Sequence, residues 1–409
     1  MTQIEGEARR MCAASRKKFL HGTHRLRGPA QTLEQVRPHL DRMGITRIAN
    51  LTGLDRIGLP VVMAARPNSR SVAVSLGKGL TLAAAQASAV MEAAESWHAE
   101  RIRLPQRSAR AADLAEEGMV ADTARLPRVG GGSFDPDRAM LWTRAQELNS
   151  GAPCWVPSEM LDTDYTGPPA GGQGAFPRST NGLASGNGYL EAACHAICEL
   201  VERDAATLWH QAPPGPRLDP ATVSDEACAG VLARLAAAGV ETGIWDMTTD
   251  TGIACFHCAL CEAGGQPGHI GIGDGCHPDR GIALLRALSE AAQTRLTYVS
   301  GARDDLDPAD FTGAEMARRA AYVRGLIRGT QATAPFQDVP TLHSAAFEED
   351  MDWLLARLQA AGFGQVMAAD LSRPEIGIAV VRAVVPGLEA PHDDPDFLPG
   401  ARAARAGAA

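Results

Sequence analysis

The chain has 409 residues, a net charge of −9 and 45% hydrophobic residues, enough for a large core in one big domain or a few small ones. Its acidic balance argues against a nucleic-acid partner, and no apolar run is long enough to span a bilayer. Because Met1 to Arg10 is polar, we expect no signal peptide, no membrane association and a cytoplasmic protein with reduced cysteines.

Residues 1–70 are predicted to form an N-terminal segment with a basic start, one helix and strands. Basic residues cluster from Arg16 to Arg27, where a solvated face and a phosphate-binding role both remain open. Thr32 is the expected N-cap of a helix that runs to Met43, before Gly44. Runs rich in β-branched residues then predict three strands, at 45–51, 59–65 and 71–76.

A glycine-containing loop from Ser75 to Thr81 leads into an Ala-rich helix, predicted from Leu82 to Arg103. The free N–H groups at such a helix start suit an anion, and Lys78 lies in the loop. It is not a Walker A loop, because Gly79 follows Lys78 where Ser or Thr is required. Taken alone, the loop is a weak indication of phosphate binding.

The rest of the chain alternates strands, helices and loops as far as residue 390. Strands are predicted at 140–148, 153–156, 252–260, 366–370 and 377–385, with a short strand or loop at 269–274. Further helices are predicted at 282–298, 308–333 and 351–361. The tail, residues 391–409, is acidic and then rich in Ala, Arg and Gly, which predicts a flexible segment.

The stretch from Ser179 to Arg203 passes from a Gly-rich loop into an apolar helix that carries an acidic face. At helical spacing, Glu191, Glu199 and Glu202 share that face with His195. Stacked carboxylates destabilise a helix unless positive charge compensates them. A bound divalent cation and a solvated acidic face are the two explanations that this helix leaves open.

Two other helices repeat the pattern. The three matching motifs are Ala89-x-x-Glu92-x-x-Glu95, Ala196-x-x-Glu199-x-x-Glu202 and Ala287-x-x-Glu290-x-x-Gln293. Three similar stripes indicate helices that converge on one centre, with Ser88 and Arg286 on the same faces.

Oxygen ligands without Cys or His favour Mg²⁺, which usually bridges carboxylates to nucleotide phosphates. Four basic neighbours would then contact phosphate oxygens: Lys78, Arg203, Arg286 and Arg295. The residues alone therefore predict an ATP–Mg²⁺ enzyme outside the P-loop class, and a structural acidic network is the alternative.

The spacing of Cys255-x-x-Cys258-x-x-Cys261 is similar to that of a zinc or iron–sulfur motif. The surrounding pattern, however, predicts a strand, in which Cys255, His257 and Cys261 point to one side and Cys258 to the other. We therefore interpret these cysteines as small residues of the core.

At these motifs the sequence resembles the YcaO family over roughly residues 15–390. The matching blocks are Ser88-Ala-Val-Met-Glu-Ala-Ala-Glu95, Asn181-Gly-Leu-Ala-Ser-Gly-Asn187, Arg286-Ala-Leu-Ser-Glu290 and Val385-Pro-Gly-Leu-Glu389. Gly22-Thr-His-Arg25 and Thr52-Gly-Leu-Asp-Arg-Ile-Gly58 resemble the branch that pairs with TfuA proteins.

The resemblance implies an α/β (α+β) fold of the YcaO type, with pseudo-repeated strand–helix units around a concave ATP-binding cleft. Residues 71–390 would form the catalytic domain. The expected cofactors are ATP and Mg²⁺, used to phosphorylate a backbone amide oxygen of a peptide. Sulfide then replaces the phosphate to give a thioamide, or an internal Cys, Ser or Thr replaces it to give an azoline.

Matching positions give the candidate site residues. The predicted catalytic residues are Glu199, Glu202, Arg203 and Arg286. The predicted nucleotide contacts are Lys78, Ser88, Glu92, Asn187, Glu191, Arg203 and Arg286. The predicted metal ligands are Glu95, Glu191, Glu202 and Glu290, whereas His195 is assigned to packing or to a supporting role.

Many azoline-forming members end in a Pro-x-Pro-x-Pro tail, whereas this chain continues as Phe397-Leu-Pro-Gly-Ala-Arg. We therefore expect a thioamide synthetase that acts with a TfuA-like protein, a sulfide donor and a peptide or protein substrate. No fused E1-like or winged-helix clamp domain is recognisable, so a partner is expected to recognise any leader. An azoline cyclodehydratase and a nucleotide-binding accessory protein are the alternatives, and a homodimer is left open.

Overall fold

The computed structural model describes residues 15–212, 214–265, 268–301, 303 and 306–408. Its helices are α1 Pro29–Val36, α2 Leu40–Met43, α3 Leu82–Ala99, α4 Ala111–Glu117, α5 Tyr189–Gln211, α6 Glu226–Ala237, α7 Arg280–Ser300, α8 Gly313–Gly329, α9 Phe347–Ala360 and α10 Ala401–Ala406. Its strands are β1 Arg47–Asn50, β2 Val61–Ala65, β3 Val74–Lys78, β4 Gln106–Ala109, β5 Met119–Val120, β6 Met140–Glu147, β7 Pro153–Pro157, β8 Leu183–Gly186, β9 Arg217–Leu218, β10 Val240–Asp246, β11 Cys255–Glu262, β12 Gly271–Cys276, β13 Ala332–Ala334, β14 Met367–Asp370 and β15 Ala379–Val384. The fold is mixed α/β, as the sequence predicted.

The strands form three sheets. The smallest has the order β1-β2-β3, the second has β12-β11-β10-β9-β13, and the largest has β5-β7-β6-β14-β15-β8 with β4 added beside β6. In the largest sheet Val380 and Val384 of β15 face one core, which includes α3, and Val381 and Ala383 face the other, which includes α5. This alternation places α3 and α5 on opposite faces of the same sheet.

Three strand–helix units share one packing device, in which a glycine of the strand lies against the backbone of the following helix. A Cβ atom at Gly77 of β3 would lie 2.0 Å from Ala89 N in α3, and one at Gly273 of β12 would lie 2.2 Å from Ala291 N in α7. A Cβ at Gly186 of β8 would lie 2.7 Å from Ala192 N in α5. These close approaches explain why the helices carry alanine where they contact the strands.

The N-terminal part differs from the prediction in one respect. The first helix begins at Pro29, after Gly28, and not at Thr32. Proline is favoured at the first position of a helix because its missing N–H would be unpaired there. Thr32 lies inside the helix, and its hydroxyl donates to Asn187 Oδ1 over 2.9 Å.

The tail after residue 390 is predicted to be flexible, and in the structure residues 391–408 include a short helix that contacts the rest of the fold. Arg402 Nε and NH2 each lie 3.0 Å from a carboxylate oxygen of Asp204 on α5. The Glu389 carboxylate accepts hydrogen bonds from the N–H groups of Gly400, Arg402 and Ala403 at the start of α10. These contacts, which pair residues far apart in the sequence, hold the tail against α5.

Strands β1 and β2 belong to the predicted N-terminal segment, yet they share a sheet with β3 of the predicted catalytic domain. The domain boundaries at residues 70 and 390 remain predictions. Among the described helices, none combines the length and the apolar character needed to cross a membrane.

Candidate active site

Three glutamates join the three strand–helix units in a cycle. Glu95 of α3 accepts hydrogen bonds from the N–H and the hydroxyl of Ser185 in β8, over 2.8 and 2.6 Å. Glu202 of α5 accepts the N–H of Cys276 in β12 over 2.9 Å. Glu290 of α7 pairs with Lys78 of β3, with Nζ 2.5 Å from Oε2. We call Glu95, Glu202 and Glu290 the glutamate ring, because each helix binds the strand of the next unit.

Beside the ring, the start of α5 is tied to the N-terminal segment. Glu191, which is 1% exposed, accepts the N–H of Leu26 over 2.9 Å and the amide N–H of Asn187 over 3.2 Å. Arg25 NH1 lies 3.7 Å from Glu191 Oε1. The predicted nucleotide contact Asn187 is thus held on both sides, by Glu191 and by Thr32.

Two arginines face the ring without being tightly bound to it. Arg203 lies 3.3 Å from Glu202, 3.7 Å from Asp274 and 3.8 Å from Glu290, which are distances of ion pairs rather than of short hydrogen bonds. Arg286 NH2 lies 3.8 Å from Glu202. The carboxylates therefore fix the positions of both guanidinium groups, while N–H donors remain for phosphate oxygens.

Arg286 has a second partner in His195, since its NH1 donates to Nε2 of the imidazole over 2.5 Å. Burial, followed by the nearby Arg286 and Arg25, lowers the pKa of His195 well below its usual value. A neutral imidazole can accept this hydrogen bond, whereas imidazolium cannot. His195 thus contacts Arg286, and its supporting role remains a prediction.

The carboxyl groups of the cleft have strongly altered acidities. Burial raises the pKa of Glu95 to about 8, although the hydrogen bonds from Ser185 oppose the shift. Burial likewise raises the pKa of Glu199 to about 7, against the opposing effect of Arg203. The pKa of Glu92 is also raised by desolvation, but its side chain is exposed to the cleft and water screens it.

Burial also raises the pKa of Glu202, whereas Glu290 behaves in the opposite way. Desolvation alone would raise the pKa of Glu290, but the positive charges of Lys78 and Arg203 outweigh it and lower the value. Desolvation is the largest cause of the raised pKa values of Glu95, Glu199 and Glu202, and neighbouring carboxylates add to it. A bound cation would favour the ionised forms of these groups.

The residues fit Mg²⁺ in combination with a nucleotide. In the part of the chain that the structure describes, no three His, Cys, Asp or Glu side chains lie close enough together to hold a metal between them. Mg²⁺ rarely needs such a cage, because one or two carboxylates with phosphate oxygens and water complete its six ligands. The glutamate ring, Arg203 and Arg286 provide both kinds of group around one cleft.

Three further predicted residues, Ser88, Glu199 and Arg295, differ in their surroundings. Ser88 is half-buried on α3, one turn before Glu92. Glu199 is half-buried on α5 and interacts electrostatically with Arg203 and Glu202. Arg295 is not at the ring, because it pairs with Glu262 and donates to the carbonyl of His269 over 2.5 Å. The expectation that Arg295 meets phosphate is therefore wrong.

Sequence reasoning missed two charged residues of the site. Arg25 lay in the basic cluster but could not be distinguished there from its neighbours. That cluster is not a uniform solvated face, since the side chain of Lys17 is 1% exposed and lies 2.7 Å from Asp350. Asp274, which His257 Nδ1 contacts over 2.7 Å, carried no signal beyond its place at the end of a predicted strand.

The Cys255 stretch forms a strand with alternating faces, as predicted. Cys258 belongs to the core between the second sheet and α7, whereas Cys255 and Cys261 contact other clusters on the opposite face. All three thiols are free and buried. Burial raises the pKa of each of them, which disfavours the thiolate form needed for metal binding.

Residues 76–389 match the sequence profile of a family described as YcaO cyclodehydratase, ATP- and Mg²⁺-binding. The chain is also 36% identical to a protein of Rhizobium leguminosarum bv. trifolii encoded in the tfuA 3′ region, over 88% of this chain and 87% of that protein. An uncharacterized protein of Methanothermobacter thermautotrophicus is 36% identical over 90% of this chain and 96% of its own length. The chain therefore belongs to the YcaO family, and its cofactors are ATP and Mg²⁺.

Solved structures agree on the fold. YcaO from Methanopyrus kandleri, bound with AMPPCP and Mg²⁺, is similar with a TM-score of 0.75 and 22% identity, over 94% of this chain and 98% of that one. A heterocyclase in complex with substrate and cofactor has a TM-score of 0.76 and 23% identity, over 92% of this chain. The match covers 54% of the heterocyclase, so this chain corresponds to about half of its length.

Proposed function

We propose that this protein uses ATP and Mg²⁺ to activate a backbone amide of a peptide or protein, and that sulfide then converts the amide to a thioamide. The observation that carries the proposal is the glutamate ring with Arg203 and Arg286, which combines oxygen ligands for Mg²⁺ with cationic donors for phosphate. The relative encoded in the tfuA 3′ region supports a TfuA-like partner and the sulfide branch of the chemistry.

The chemistry requires two substitutions. The amide oxygen attacks the γ-phosphorus, ADP leaves, and the amide N–H gives up its proton, which produces a phosphorylated imidate. Hydrosulfide then adds to the carbon, phosphate leaves with the former amide oxygen, and the proton of the S–H group moves to the nitrogen, which gives the thioamide. Bound Mg²⁺ supplies neutralisation of charge on the transferring phosphoryl group.

We assign the residues to these steps as follows. Glu95, Glu191, Glu202 and Glu290 are the proposed metal ligands. Lys78, Ser88, Glu92 and Asn187 are the proposed nucleotide contacts, together with the buried Glu191. Arg203 and Arg286 are the proposed phosphate-binding residues. Glu199 and Glu202 are the proposed catalytic carboxylates beside the reacting atoms.

We favour the thioamide over the azoline product, because the relative encoded in the tfuA 3′ region supports the branch that pairs with TfuA-like proteins. The cytoplasmic location and the homodimer stay predictions.

Mass spectrometry tests the proposal. The protein, with its TfuA-like partner, is incubated with ATP, Mg²⁺, sulfide and candidate peptides, and the product mass is measured. Exchange of one oxygen for sulfur is expected, whereas loss of water would identify an azoline cyclodehydratase. No change in any peptide, together with no ATP hydrolysis, would instead identify an accessory protein.

A further inference from the structure

A small cavity lies where β15 and the chain after it meet the loop before β8. Its volume is about 30 Å³, and its wall is largely apolar, formed in part by Leu126, Met160 and Leu388. Four residues with polar side chains also line it, namely Ser179, Asn181, Arg382 and Glu389. The Glu389 carboxylate is already engaged by the N–H groups of Gly400, Arg402 and Ala403. We call this cavity the Arg382 pocket.

The guanidinium of Arg382 is buried and incompletely paired. Arg382 is 3% exposed, and its NH2 donates to the carbonyl of Ser179 over 2.7 Å. Its Nε and NH1 are buried and have no hydrogen-bond partner within the described ranges, and neither has Asn181 Oδ1. Burial lowers the pKa of Arg382 to about 10, so it is still charged at neutral pH.

A buried cation of this kind is costly unless an anion accompanies it. Glu199 and Tyr165 interact with Arg382 electrostatically. Neither of them forms an ion pair with Arg382 within 4.0 Å in the described chain. The pocket therefore offers unused N–H donors on a cation that has no ion-pair partner among the described residues.

The size of the cavity limits the ligand. Sites for drug-sized ligands have volumes of about 300–1,000 Å³, so neither a nucleotide nor a peptide segment fits. A cavity of about 30 Å³ has room for a species of the size of a water molecule. Leu200, which also lines the cavity, directly follows Glu199 of the cleft in α5.

We propose that the Arg382 pocket binds a small monovalent anion, and that this anion is hydrosulfide in the reaction proposed above. The identity of the anion rests on that proposed function, whereas the binding of a small anion does not. The cation favours HS⁻ over H₂S, because only the ionised form gains the attraction between opposite charges. HS⁻ is also the form that makes the C–S bond as the bond from carbon to the phosphate oxygen breaks.

Bromide is the probe for binding, because anomalous scattering locates it in crystals of the full chain. An anomalous peak is expected beside Arg382 in the unmodified protein and in Arg382→Lys, which keeps the charge. The peak should disappear in Arg382→Gln. The control is Arg217→Gln in β9, because Arg217 is half-buried and, like Arg382, has an Nε without a hydrogen-bond partner in the described chain.

Competition then distinguishes hydrosulfide from a halide. Soaking the bromide-loaded crystals in an equal concentration of hydrosulfide should remove the peak at Arg382. Persistence of bromide would show an adventitious ion only. Absence of bromide from the unmodified protein would refute the proposal that the Arg382 pocket binds an anion. Both results are independent of any enzymatic activity.

Steady-state kinetics connect the pocket to the reaction. In Arg382→Gln the KM for sulfide should rise about tenfold or more, because one charge-assisted interaction is lost, while the KM for ATP changes less than about twofold. Bromide should compete with sulfide in the unmodified protein but not in this variant. An unchanged KM for sulfide would refute the proposed role, whereas bromide binding without any thioamide product would refute the proposed function and leave the anion site standing.

Discussion

Lys78 and Glu290 are 212 positions apart in the sequence, and their side chains form an ion pair of 2.5 Å that closes the cycle of three strand–helix units. The other two links are hydrogen bonds, from Ser185 to Glu95 and from Cys276 to Glu202. On each helix, one carboxylate therefore connects two units and also faces the cleft proposed for Mg²⁺ and ATP.

Replacing members of the glutamate ring should abolish ATP turnover without unfolding the protein. For Glu202→Ala and Glu290→Ala we expect kcat for ATP hydrolysis to fall about a hundredfold or more, the scale of losing one preorganised electrostatic contact. Turnover is measured by phosphate release and folding by circular dichroism. Glu315→Gln is the control, because Glu315 pairs with Arg318 on the outer helix α8. Normal turnover in both ring variants would refute the metal-site assignment.

The affinity for Mg²⁺ should rise with pH. The raised pKa values, about 8 for Glu95 and about 7 for Glu199, mean that protons compete with the metal near neutrality. We expect the association constant for Mg²⁺ in the presence of ATP analogue to increase at least about tenfold from pH 6 to pH 8. Calorimetry in buffers of different ionisation enthalpy should detect proton release on binding.

The same groups predict how stability changes with pH. Between pH 6 and pH 8 the native state retains protons on Glu95 and Glu199 that the unfolded chain has lost. In Mg²⁺-free buffer these two groups therefore make the free energy of unfolding fall as the pH rises through their folded pKa values. Glu95→Gln, which cannot ionise, should reduce this slope, and an unaltered slope would contradict the assigned acidity.

Removing the anchor of the tail should destabilise the protein. Arg402→Ala leaves the buried carboxylate of Asp204 without its main partner, a change that costs about 3–5 kcal/mol for buried ion pairs. Urea denaturation measures the free energy of unfolding. The matched control, Arg405→Ala, removes an exposed arginine of the same helix and should change stability by about 0.5 kcal/mol or less. Equal stability of the two variants would show that the tail contributes nothing.

Cys258→Ala should leave ATP turnover and metal content unchanged. Cys258 packs in the core beside α7, and β11 turns it away from Cys255 and Cys261. Elemental analysis by mass spectrometry measures zinc in the purified protein and in the variant. Stoichiometric zinc that disappears with this substitution would contradict the interpretation of these cysteines as core residues.

The convergence of the three helices was predictable because the residues that indicate it lie close together in the sequence. Glutamates at i and i+3 on Ala-rich helices indicate a shared face, and glycines in the preceding strands allow close packing. The partners of those glutamates were not predictable in the same way. Nothing in the spacing shows that Glu95 meets Ser185 or that Glu202 meets the N–H of Cys276, because tertiary contacts decide both pairs.

Other differences have identifiable signals in the sequence. Pro29 marks the start of α1 better than Thr32 does, because proline is favoured at the first helical position. Arg382 interrupts a strand that is otherwise apolar, which is unusual for a residue in a buried sheet. The order of the tail had no local signal, since it depends on Asp204 of a distant helix.

The cyclic arrangement of Glu95, Glu202 and Glu290 has a consequence for engineering by recombination. Each unit contains a helix whose glutamate contacts the strand of the following unit, and a strand that contacts the glutamate of the preceding unit. A chimera that exchanges one unit must therefore restore two contacts at once. Exchange of β8 and α5 from a relative would succeed only if the donor segment restores both the hydroxyl beside Glu95 and the carboxylate beside Cys276. The three segments are therefore coupled as modules, although each has its own strand and helix.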